Sequence, residues 1–153
     1  MQIVLFFLIG LFNTPDCVKM ESVRSEYHNI KTEEQLNQFI DLLDNIPCDK
    51  AQPYLASAIM QKAQYTMWPT SKLKYFQTGK KQLESIIQKD PDSIEARYVR
   101  VLVQSEIPYI LGYHDDMVSD SFYIKKHIAN SGLPENYQEL ILKNVTKATN
   151  NIN

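Results

Sequence analysis

A chain of 153 residues holds one domain with a real core and is too short for two comfortable ones. Hydrophobic content of 44% and charged content of 22% exclude wholesale disorder, and a net charge of −2 excludes the strongly basic footprint of a nucleic-acid binder. Two cysteines, Cys17 and Cys48, are too few for a disulfide scaffold or a self-sufficient zinc site, though one bridge between them remains open in an oxidising compartment.

The chain opens with a ten-residue apolar run, Ile3 to Phe12, that stops at Asn13-Thr14-Pro15-Asp16. A helix needs roughly 20 apolar residues to span a bilayer, so no transmembrane span is expected here. The length fits the apolar core of an export signal over residues 1–17, which places the protein in the periplasm or cell envelope. No Lys or Arg precedes the run and no small-x-small site follows it. A buried N-terminal helix or strand, a misplaced start site and a cytoplasmic location therefore stay open.

Residues 18–31 are polar and read as a linker or short lead-in. The folded domain is expected over 32–149. Thr32-Glu33-Glu34-Gln35 has the capping-box pattern, and Leu36, Phe39, Ile40 and Leu43 then recur on one helical face until Pro47. A second helix is predicted from about Ala51 to Met67, with Leu55, Ala58, Ile59 and Ala63 buried and Pro53 in its first turn. Trp68-Pro69 breaks it. Thr70 or Ser71 is expected to cap a long third helix to about Lys89, whose face carries Leu73, Phe76, Lys80, Leu83, Ile86 and Ile87. Gly79 in its middle costs about 1 kcal/mol relative to Ala, which a close helix–helix contact would compensate.

Asp90-Pro91 reads as an N-cap followed by Pro at the first position of a fourth helix, ending at Ile107-Pro108. A fifth is expected from Asp116, capped by its carboxylate, to the stop at Ser131-Gly132. Pro134-Glu135 opens a sixth with Tyr137, Leu140, Ile141 and Val145 inward, and the tail 150–153 should fray. Four glycines against nine tyrosines, and no sustained two-residue alternation, make the fold class all-α with about six helices.

Gly79-x3-Leu83-x2-Ile86-x4-Pro91, followed by Asp92-Ser93-Ile94-Glu95-Ala96, resembles the second helix of a tetratricopeptide repeat and its link to the next repeat. The resemblance covers about one repeat of some 34 residues. Ile86, Arg97 and Arg100-Val101 depart from the consensus. The longer string Trp68-Pro69-x2-Lys72-x2-Tyr75-Phe76-x2-Gly79-Lys80 is similar to small exported helical proteins of Bacteroidota-type bacteria. These resemblances imply a right-handed array of antiparallel helical hairpins and an envelope compartment. Gly79, Leu83, Pro91, Trp68 and Pro69 are its structural positions.

The fourth helix carries the sharpest candidate. Ile94, Tyr98, Val99, Val101, Leu102, Val103 and Ile107 make it apolar around most of its circumference, while Arg97, Arg100 and Gln104 form one polar line. Two arginines on a buried helix need carboxylates or a ligand anion. Either they form an ion-pair network with Glu84, Glu95 or Asp90, or, with Tyr75 and Lys72, they line a groove for an anion or a peptide carboxylate. Asp116, Asp120 and His127 share a side of the fifth helix, where acids suit the helix start better than a metal. With no phosphate loop, paired histidines or nucleophile motif, no catalytic residue or cofactor is assigned. The expected function is a non-enzymatic protein-interaction or structural module with a protein or peptide partner and no nucleic acid. The alternative is a small helical domain that binds an anionic ligand through Arg97 and Arg100.

Overall fold

A computed structural model describes Cys17 and residues 19–150. The apolar run Ile3–Phe12 and residues 151–153 lie outside the described residues. Of the described residues 77% are helical, and no strand occurs among them. They form seven α-helices: α1 (Met20–Tyr27), α2 (Glu33–Asp44), α3 (Gln52–Gln61), α4 (Pro69–Lys89), α5 (Ile94–Glu106), α6 (Met117–His127) and α7 (Glu135–Asn150).

The seventh helix is a correction. The stretch 18–31 is not only a linker, because α1 occupies most of it and buries Met20, Val23 and Tyr27. That i, i+3, i+7 spacing is a helical face, hidden by the charged residues between its members. Cys17, just ahead of α1, is disulfide-bonded to Cys48 with a Cα–Cα distance of 5.5 Å.

The capping chemistry matches expectation at α2, where Thr32 Oγ1 accepts from Gln35 N–H at 3.2 Å and Gln35 Oε1 accepts from Lys31 N–H at 2.8 Å. It differs at three later starts. Trp68 is the N-cap of α4 and Pro69 its first residue, so Thr70 and Ser71 lie inside the helix. Asp90-Pro91-Asp92 forms the turn before α5, and Ser93 is the N-cap, its Oγ accepting from Ala96 N–H at 3.2 Å. Ser93 stands directly ahead of the helix, within reach of its free N–H groups, whereas Asp90 lies three residues earlier. Asp116 precedes α6 without capping it, since its side chain is turned to α5. Gly132, with φ of +71°, supplies the left-handed turn after the 3-10 extension of α6.

Packing divides into two cores that share α5. The first gathers Val23, Leu36, Phe39, Leu43, Ala56, Leu83, Ala96 and Val99 from α1 to α5. The second gathers Tyr98, Val101, Met117, Ile124, Ile141 and Val145 from α5 to α7. The α3–α4 contact centres on Gly79, where an added Cβ would lie 2.3 Å from Ala56 O and 2.5 Å from Met60 Cγ. The close approach inferred from this glycine is therefore present. On α3 Tyr54, Ala56, Ser57, Ala58 and Met60 are buried, whereas Leu55 and Ile59, and Ala63 just beyond the helix, are only half-buried.

Candidate functional site

The polar line on α5 is built as expected, and its partners are the protein's own carboxylates. Arg100 Nε donates to Asp120 Oδ2 at 2.7 Å and Nη2 to Asp120 Oδ1 at 2.9 Å, a two-pronged pair, while Nη1 donates to Glu84 Oε2 at 2.9 Å. Arg97 Nη1 donates to the same Asp120 Oδ1 at 2.6 Å and Nε to Pro91 O at 2.8 Å, and its guanidinium sits 4.2 Å from the centre of the Tyr123 ring. Asp120 is fully buried. Burial works against the Arg100 cation, but the hydrogen bonds to Asp120 and the charges of Asp120, Glu84 and Asp116 outweigh it and raise the pKa. Tyr113 donates to Glu84, and burial together with that carboxylate raises its pKa as well. Gln104 Nε2 reaches Asp116 Oδ2 at 3.4 Å, whereas its buried Oε1 has no hydrogen-bond partner among the described residues.

Several expectations are corrected by this geometry. Of the carboxylates expected beside the arginines, Glu84 is a partner, but Asp90 and Glu95 are replaced by Asp120 and Asp116. These two acids stand where α6 crosses α5, so they neutralise the arginines rather than serving the start of their own helix. Tyr75 and Lys72 do not join the line. Glu84 is nine residues beyond Tyr75, roughly 13 Å along α4 and on its opposite side. Tyr75 is instead paired with Lys62, whose Nζ lies 5.7 Å from its ring centre, and Lys72 is exposed. His127 stacks on Tyr123 at 4.4 Å. Among the described residues no three His, Cys, Asp or Glu side chains gather to hold a metal ion.

A second buried polar cluster was not anticipated. Arg24 of α1 donates through Nε to Glu95 Oε1 at 2.8 Å and through Nη2 to Oε2 at 3.0 Å. Tyr54 of α3 donates to the same Oε1 at 2.6 Å, and Tyr137 of α7 lies 2.7 Å from the Tyr54 oxygen. With the Tyr54 proton given to Glu95, Tyr137 is the donor to Tyr54. Burial, then the Glu95 charge, holds Tyr54 well above the ordinary phenol range. Beside this cluster Tyr27 and Ser57 share a 2.8 Å hydrogen bond, and Tyr98 Oη lies 3.3 Å from His28 Nε2. The α1 periodicity and the Glu95 position were the available signals, but no spacing links them.

Glu95 also borders an open groove. A cleft of about 690 Å³ is walled by Met20, Arg24, Ser93, Leu133 and Pro134, with Cys17 at its edge. A neighbouring cleft of about 780 Å³ is walled by Gln52, Pro53, Lys81, Gln82, Ile86 and Lys89. The two share Lys50, Asp90, Ser93 and Glu95, so they adjoin at the α4–α5 turn. Charged groups of both signs and apolar side chains line this surface. No helix among the described residues is long and apolar enough to cross a membrane. The chain matches no protein-family model, no curated protein and no solved structure.

Proposed function

We propose that the protein is a non-enzymatic interaction module of tetratricopeptide-like type, acting in the periplasm or cell envelope, that holds a segment of a partner protein in the groove across the α4–α5 turn. The observation that carries this reading is the joining of the two clefts at Lys50, Asp90, Ser93 and Glu95. Two adjoining clefts offer a path for an extended segment, and their mixed charges offer partners to both ends of each peptide dipole. The packing of Ala56 and Met60 on Gly79 supports a hairpin of α3 and α4 at the repeat-like motif. The Cys17–Cys48 bond suits an oxidising compartment, and it supports an envelope location in which Cys17 stays on the mature chain. The anionic-ligand alternative is less favoured, because Asp120, Glu84 and Asp116 already neutralise Arg97 and Arg100.

Selection of a random-peptide library on the intact chain tests the groove. Enriched peptides are expected to lose about tenfold or more in affinity with Lys50→Trp, whose indole occupies the shared wall, a change of about 1.4 kcal/mol. They should bind unchanged to Phe122→Ser, which alters an exposed side chain on α6. Peptides indifferent to Lys50→Trp would sink the reading.

A further inference from the structure

The connection from α3 to α4 combines two features found together nowhere else among the described residues. The first is charge. Residues 50–83 hold six lysines (50, 62, 72, 74, 80 and 81) of the sixteen basic residues and none of the eighteen acidic ones, which makes this segment +6 and the remainder of the chain −8. The second is exposure. At the tip of this segment Met67 is 91% exposed, Trp68 73% and Leu73 47%. Trp68 was expected to pack as a structural residue; instead Pro69 begins α4 directly behind it and its side chain stands in solvent. Lys62 precedes the tip, with its ammonium 5.7 Å from the Tyr75 ring centre, and Lys72 and Lys74 follow within the first two turns of α4. The exposed apolar residues are thus flanked along the chain by lysines on both sides.

We propose that this tip is a peripheral docking site for anionic phospholipid bilayers, with Trp68 and Met67 entering the interface and Lys62, Lys72 and Lys74 meeting the headgroup phosphates. An indole at the boundary between headgroups and acyl chains satisfies both its apolar ring and its N–H. Neither a few apolar side chains nor three lysines anchor a protein alone, but the two signals add. The same surface fits other anionic partners less well. It contains no arginine, the residue that grips phosphate and bases with a planar fork, and an exposed methionine and leucine have no counterpart on a nucleic-acid backbone. An acidic protein would leave a convex tip without the concavity that peptide recognition uses. The site lies at the N-terminal end of α4, whereas the groove borders the C-terminal half of the same helix. The two surfaces are independent.

Trp68 is the single tryptophan of the chain, so its fluorescence reads this site directly. The full chain is mixed with phosphatidylcholine vesicles that contain or lack phosphatidylglycerol. Expected is a blue shift on the anionic vesicles, quenching by lipids brominated in the acyl chain, and reversal by salt. Neutralising Lys62, Lys72 and Lys74 together to Gln should weaken partitioning by about a hundredfold, at about fivefold for each lysine near the surface. Met67→Ser should weaken it while leaving the salt dependence intact. Met67, Lys72 and Lys74 are exposed and Lys62 is half-buried, and retained helical circular dichroism verifies that the variants fold. Vesicle binding without a change in Trp68 emission overturns the proposal, since another part of the chain would then carry it. So does a shift that survives neutralisation of the lysines, or one seen only with polyglutamate or DNA.

Discussion

The two buried polar clusters solve the same problem in opposite ways. Around Asp120, one carboxylate serves two arginines, with Glu84 and Asp116 as outer support, and every partner lies within 23 positions of its arginine. Around Glu95, one carboxylate faces a single arginine and is completed by phenols, drawing on α1, α3, α5 and α7 across separations of 71, 41 and 83 positions. The first cluster fastens α5 to its neighbours in sequence. The second clamps the beginning, middle and end of the described chain together. A buried charge is tolerated in each because its hydrogen-bonding capacity is filled, by opposite charge alone in one and by an arginine and a neutral phenol in the other.

Breaking the first cluster should have the largest effect. Asp120→Ala strands two guanidinium groups beside α6, and urea denaturation should show a loss of about 3–5 kcal/mol. A loss below that of the Glu95 variant would reverse the ranking of the two clusters. Glu95→Gln keeps the shape but replaces one acceptor oxygen of the Arg24 pair with a donor, and is expected to cost about 2–3 kcal/mol. A double-mutant cycle with Arg24→Met should show positive coupling, and strict additivity would mean that the pair contributes nothing to the clamp.

The smallest effect is a pH dependence beside the second cluster. Burial raises Tyr27, beside the clamp, to about 12 from an ordinary 10.0, against a lowering hydrogen bond from Ser57. Its raised native pKa means that the unfolded chain gives up the proton first. The associated stability is complete below pH 10 and is lost as pH rises through 12. By pH 11 the loss from this one group is about 1 kcal/mol. Thermal melts across pH 8 to 11, with phenolate absorbance followed in parallel, would show it. Ionisation of Tyr27 well below pH 11 without unfolding would remove the argument.

Legibility in the sequence followed the same division. The arginine line on α5 could be read because apolar residues fill the rest of that helix, leaving Arg97, Arg100 and Gln104 as its conspicuous exceptions. Gly79 could be read because a mid-helix glycine needs a reason, and Ala56 O supplies it. The partners could not be read, because Asp116 and Asp120 look equally natural at the start of their own helix. Arg24 was hidden more deeply. It sits in α1, where Met20, Val23 and Tyr27 form a face too short to stand out among charged neighbours. Its contact with Glu95 depends on which helices abut, and local spacing does not encode that. Trp68 misled for a related reason. A large aromatic beside a proline suggests a packed corner, yet here it is directed outward.

The placement of α5 has one more consequence, for the way the molecule comes apart. Ala96, Val99 and Val103 belong to the first core, and Ile94, Tyr98 and Val101, on other sides of the same helix, belong to the second. Neither core can release α5 without opening the other. The two therefore lack the independence of separate folding units, and the chain should pass between folded and unfolded in a single cooperative step. Local opening is then confined to helices that serve one core only, and the amides of α5 exchange with solvent last.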